Sequence, residues 1–164
     1  MRNYQGVRGN LVDMQTGEKL FFQFNPEKIG DDQGANWAAQ RIHGVHHPYF
    51  QYSSGTGRTL KFQLKFYHQD VKDGKNVKQK CDWLRSTVYP DTAAGGVPHR
   101  PPHRFLLNLG SLFRGMPCII TSVSVNYDKV FSPSIVPLYA EVDLEVQEFR
   151  TRAVGYAEVR GGSA

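Results

Sequence analysis

The chain has 164 residues, 40% of them hydrophobic and 21% charged, with a formal net charge of +5 and two cysteines, Cys81 and Cys118. Such a length supports one domain that buries about 70% of its unfolded surface without disulfides, and two cysteines fit a reducing compartment. No apolar run approaches the roughly 20 residues of a membrane span, and the start MRNYQGVRGNL lacks the apolar core of a signal peptide, so folding in the cytoplasm is expected.

Residues 4–13 and 19–24 read as two strands joined by DMQTGE, in which Gly17 supplies the turn. Pro26 ends the second, because it cannot donate to a ladder, and Asn25 before it is pushed to an extended or capping conformation. Residues 27–52 are less regular. They hold an acidic turn, GDDQG, then Trp37, then the histidine- and aromatic-rich piece RIHGVHHPYFQY, read as extended.

The stretch YSSGTGRTLKFQLKFYHQD at 52–70 carries two glycines ahead of a cation and a hydroxyl. A phosphate-binding loop needs a lysine directly before its Ser/Thr, four residues between its glycines and a helix afterwards. Here Gly55 and Gly57 are one residue apart, the cation is Arg58, and the next segment reads as strand. Leu60, Phe62, Leu64 and Phe66 alternate with Lys61, Gln63 and Lys65, the period of two that puts one row on each face.

One helix is predicted, in NVKQKCDWLRSTVYP. Val77, Cys81, Leu84 and Val88 follow spacings of four, three and four, with Asn76 or Asp73 as cap and Pro90 as stop. Residues 89–104, YPDTAAGGVPHRPPHR, read as a long loop because of their prolines and glycines. Three strands come after it: one alternating at Phe105, Leu107 and Leu109, one at MPCIITSVSVNY, and one over 138–149. In the last, Leu138, Ala140, Val142, Leu144 and Val146 face one way and Tyr139, Glu141, Asp143, Glu145 and Gln147 the other. The expected fold is mainly β, an antiparallel barrel or sandwich with one α-helix packed against it, over residues 1–150, with a tail at 151–164.

Chemistry is sparse. His43, His46 and His47 lie close together, but Gly44, Val45 and Pro48 argue against the helix that would align them, and no cysteine lies nearby. His99 and His103 flank prolines in the predicted loop and need no functional explanation. Asp31 and Asp32 read as a turn, Cys81 as an inert core thiol, and no nucleophile stands in a recognisable catalytic setting. No enzyme, cofactor or metal is expected. The basic residues are dispersed, with no run of five or more, the pattern of a solvated surface; a nucleic-acid binder would instead show a salt-dependent affinity for DNA. What stands out is charge on strands: an acidic row of Glu141, Asp143 and Glu145 and a basic row of Arg58, Lys61 and Lys65. Paired across a ladder, within one chain or between copies, such rows fix register.

FFQFNPEKI, Trp37, YSSGTGRTLKFQLKFYHQD, RPPHRFLLNLG, CIITSVSVNYDKVF and PLYAEVDLEVQEF occur in that order between residues 18 and 149. In this the chain resembles the tube-protein domain of contractile injection systems, the family of baseplate hub and tube-initiator proteins of contractile phage tails and related particles. The resemblance implies a tail-tube-type β-fold in a homo-oligomeric ring of six copies, its strands joined into a barrel around a central channel. It places the ring in the virion's tail baseplate, assembled in the host cytoplasm, as an adaptor between hub protein and tail tube protein beside neighbouring wedge proteins. It implies transient contact with DNA in the channel and none with membrane. Gly55 and Gly57 would tip a hairpin, and the acidic row would line the channel, where like charge lets DNA slide. Members often carry a peptidoglycan-binding LysM domain, for which the residues after EVQEF leave no room. The alternative is a peptidoglycan-binding baseplate module using Trp37, Tyr49, Phe50 and Tyr52 as a stacking surface.

Overall fold

The computed structural model describes residues 7–68, 77–92, 98–128 and 137–161. Seven antiparallel strands form one sheet: β1 (Asn10–Asp13), β2 (Lys19–Phe21), β3 (Ile29–Asp32), β6 (Thr59–Tyr67), β9 (Phe105–Leu109), β10 (Phe113–Tyr127) and β11 (Tyr139–Glu148), in the order β2-β1-β9-β10-β11-β6-β3. Two strands, β4 (Ala35–Gln40) and β5 (Tyr49–Gly55), pair only with each other, as do the short β7 (Asp91–Thr92) and β8 (Pro98–Arg100). The helices are α1 (Val77–Ser86) and α2 (Tyr156–Arg160).

The core collects the alternating rows expected from the sequence. Leu60, Leu64 and Phe66 of β6, Phe105 and Leu107 of β9, and Val142, Leu144 and Val146 of β11 are all buried. Each contributes about 1.5–3 kcal/mol by leaving water. In β10 the buried row changes parity, from Met116, Cys118 and Ile120 to the half-buried Val123, Val125 and Tyr127. A register shift between Ile120 and Ser122 causes this. The extra residue, Thr121, donates through its hydroxyl to the Glu145 carbonyl (3.1 Å), a bulge that keeps the apolar side inward as the strand bends.

The sheet curls. The Phe22 ring lies 6.0 Å from that of Phe62, and Gln23 accepts the Tyr67 backbone N–H through Oε1 at 2.8 Å. The chain leaving β2 at one edge thus reaches β6 near the other, the barrel-like form expected. Gly9 stands at this seam, where a Cβ would come within 2.6 Å of both Leu109 and Phe22. At the DMQTGE turn Gly17 has φ +75, a conformation glycine adopts without steric cost. Asp13 completes the turn by accepting the Gln15 and Thr16 amides (2.8 and 3.3 Å).

Helix α1 packs Val77, Cys81 and Leu84 inward. Trp83 stands edge-on to Phe105 with ring centroids 5.9 Å apart and donates its Nε1–H to Glu18 (2.8 Å). The proposed caps Asn76 and Asp73 lie outside the described residues, as does the start of the first predicted strand. Three expectations need correction. The acidic stretch GDDQG is not a turn, since Gly30, Asp31 and Asp32 lie in β3 and pair with β6. The stretch 89–104 is not wholly irregular, since β7 and β8 pair across it. A second helix, α2, also forms in the tail; it buries no residue and so left no apolar periodicity to read.

Candidate functional site: a charged sheet face and a projecting hairpin

Strands β6 and β11 are antiparallel neighbours in register Lys61↔Glu145, Gln63↔Asp143 and Lys65↔Glu141. The rows singled out by sequence therefore meet across one ladder of the same chain. Lys61 Nζ lies 3.5 Å from Glu145 Oε1. Gln63 donates through Nε2 to Asp143 Oδ1 (2.9 Å), and Tyr139 donates its hydroxyl to Glu141. Lys65 reaches past Glu141 to Glu27 at 2.8 Å; that bond, with the neighbouring carboxylates, raises its pKa above the ordinary lysine value. Arg58 stands apart from the row at the head of β6. It grips Asp31 through Nε and Nη2 (2.8 and 2.5 Å) and lies 5.2 Å from the Phe113 ring centroid. This bidentate bond holds the Asp31 carboxyl below its usual pKa. Both edges of β11 are occupied, by β10 and β6, so no neighbouring chain can extend the sheet there. Only the side chains of that face remain free to meet another surface.

The open backbone edges lie elsewhere. β3 and β6 pair through Asp32↔Thr59, and β4 and β5 resume the same hairpin at Ala35↔Gly55. Between the two halves Thr56 donates its amide to the Gly34 carbonyl (2.9 Å), and its hydroxyl accepts the Gly34 N–H (2.7 Å). Gly55 and Gly57 thus sit where one long hairpin leaves the domain, not at its tip, which is the loop 41–48. At Gly57 a Cβ would come within 2.5 Å of the Gln147 amide nitrogen, the end of a flexible side chain that can move aside.

Every residue of β4 and β5 is exposed. The register places Trp37 opposite Tyr52 and Ala39 opposite Phe50 on one face, with the Trp37 and Tyr52 rings 5.5 Å apart. The other face is polar, tied by Asn36 to Ser54 (3.3 Å) and Gln40 to Gln51 (2.8 Å). Tyr49, opposite Gln40, belongs to that side, so the aromatic surface holds three of the four rings grouped by sequence. The hairpin is amphipathic yet buries neither face.

Sequence reasoning also missed His103. Its Nδ1 donates to Asp13 Oδ2 at 2.7 Å, and its Nε2 lies 4.0 Å from Asp91. Burial works to raise the Asp13 pKa, but the His103 bond and the Gln15 and Thr16 amides outweigh it and hold the carboxyl below its ordinary value. A histidine between two acidic residues 78 positions apart leaves no local signal. Burial pushes the thiol of Cys81 up to about 11 and that of Cys118 to about 12, which removes both as nucleophiles at neutral pH. Among the described residues no three His, Cys, Asp or Glu side chains converge as metal ligands.

A comparison with the curated proteins gives no match. Among solved structures the chain is similar to the Dit protein of phage SPP1, described as a paradigm of the hub adsorption apparatus in phages infecting Gram-positive bacteria. The identity is 12% and the TM-score 0.50, over 85% of this chain and 49% of that one, so the likeness is one of fold and spans about half of the phage protein. The family of contractile injection system tube proteins matches residues 8–155, nearly the whole described β-domain, and the chain belongs to that family.

Proposed function

We propose that this protein is a structural ring component in the baseplate of a contractile phage tail or related injection particle. Six copies would join the central hub to the tail tube and enclose the channel through which DNA or other cargo passes. The hairpin β4–β5 carries this reading. An isolated two-stranded ribbon is marginal in water, and this one presents two unpaired backbone edges and an aromatic face to solvent. Adding the hairpins of neighbouring copies edge to edge satisfies the backbone, and closing the ring leaves no edge over. Packing the Trp37, Phe50 and Tyr52 face outward against the domains buries it, and the Asn36, Gln40 and Gln51 face is then left as a neutral, hydrophilic channel wall. The acidic row at Glu141, Asp143 and Glu145, engaged by its own chain, would serve contacts between subunits or rings.

Negative-stain electron microscopy of the protein mixed with its hub partner tests the reading. Six-fold rings with a central channel are expected; a mixture in which every copy stays monomeric overturns it. The exposed aromatics also favour a second reading, a sugar-stacking surface for peptidoglycan. Retention on peptidoglycan sacculi that is lost on Trp37→Ala, in a protein that forms no ring, would establish that one instead.

A further inference from the structure

At the end of the domain where β10 begins and β11 ends, a cavity of about 520 Å³ is lined by five arginines (58, 104, 114, 150 and 152) and one carboxylate, that of Glu148. Three of the guanidiniums are engaged: Arg58 by Asp31, Arg150 by Glu148 and Arg152 by Glu158. The other two have no carboxylate partner among the described residues. Arg104 lies over the Phe149 ring, 4.2 Å from its centroid, a stacking that leaves its edge N–H donors free, and Arg114 is exposed. The same cavity is walled by apolar side chains. Phe113 and Met116 are buried in the core behind it, while Leu112 and Met14 are 63% and 52% exposed at its rim.

We propose that this cavity docks an acidic peptide segment of a partner protein, with two of its carboxylates on Arg104 and Arg114 and an intervening apolar side chain against Leu112 and Met14. Guanidinium forks match carboxylates in geometry, and charge-assisted bonds of this kind are the strong ones. The volume suits a few side chains of a bound segment. A nucleic-acid strand would use the cations but leave the apolar wall uncovered, whereas an acidic peptide with bulky residues uses both. The site is built by one chain alone and does not depend on ring closure.

Fluorescence anisotropy on the full chain tests this, with a short labelled peptide of alternating glutamate and leucine as the probe. Saturable binding is expected, weakened about tenfold or more by Arg104→Gln with Arg114→Gln, as for loss of one or two charge-assisted contacts. Replacing the leucines of the probe by serine should weaken it too. Trp37→Ser, far out on the hairpin, should leave it unchanged, so the result stands apart from that of the ring experiment. The exposed single change Arg114→Gln carries the test if the double variant fails to fold. Absence of saturable binding up to ~1 mM, indifference to the arginine changes, or equal or tighter binding of an oligothymidylate of the same charge would each overturn the proposal.

Discussion

Asp13 carries more of the architecture than its place in a hairpin turn suggests. One oxygen closes the β1–β2 turn on two amides and the other holds His103, so a single buried carboxylate ties the residue just ahead of β9 to that turn. Its depressed pKa fixes the sign of the pH dependence. The folded state binds this proton less readily than the unfolded chain, so the stabilisation is fully present above the ordinary aspartate value of 3.8 and is lost as pH falls through the lower folded value. Asp31 beside Arg58 adds in the same direction. Asp13→Asn keeps an amide acceptor but leaves His103 without its charged partner. It should cost about 1–2 kcal/mol at neutral pH, and the gap to the parent should close as pH falls past the ordinary aspartate value and through the lower folded one, where the parent's own carboxyl protonates. Urea titrations across that range measure it, and a gap independent of pH would mean that the charge is not what matters.

The strands and helix that pack against the core were legible because burial writes a period into the sequence. The β6 row was found residue for residue, the α1 stripe at Val77, Cys81 and Leu84 but not at Val88, which follows the end of the helix at Ser86, and β11 from Ala140 onward. In MPCIITSVSVNY the apolar residues fall in both rows at the start, and only the ladder shows that the buried row changes parity, at a bulge at Thr121. The hairpin β4–β5 was not legible, and the physical reason is the one that makes it interesting. With no face buried in its own chain, ANWAAQ carries only a short contrast, Ala35, Trp37 and Ala39 against Asn36, Ala38 and Gln40, and an eight-residue connection lacks the Asn-Gly type signal of a tight turn. This predicts a separation of effects. Trp37→Ser with Phe50→Ser removes exposed rings from an element outside the core, so thermal unfolding of the monomer should move by no more than about 2 °C. Ring formation on the hub should be abolished. A variant that unfolds early would show that the hairpin is part of the domain's own core, and one that still forms rings would show that its aromatic face is not the assembly surface.

On the scale of the whole molecule, the sheet brings together charges far apart in the sequence, Lys61 and Glu145 among them. The acidic and basic rows that sequence could only place on separate strands are neighbours in a single ladder, flanked on the β10 side by Ser122, Ser124 and Asn126. Alternation along a strand cannot choose between pairing within a chain and pairing between copies, because register is settled by which strands become adjacent. The consequence for function is that charge reversal on β11 has two possible readouts, and a swap separates them. Glu145→Lys places a second cation opposite Lys61 and should destabilise the monomer by about 0.2–1 kcal/mol; Lys61→Glu alone should do likewise. Together they restore an opposite pair with reversed polarity, so the double variant should recover the parent's denaturation midpoint, a positive coupling in the double-mutant cycle. If the row also meets a neighbouring subunit or the passing cargo, the swap recovers stability but not assembly or ejection, since an outside partner still sees an inverted charge. Recovery of both would confine Glu145 to its own ladder and leave the hairpin as the channel wall. Failure to recover the monomer's stability would mean that Lys61 and Glu145 do not act on one another, and the charge rows would lose their part in setting the sheet's register.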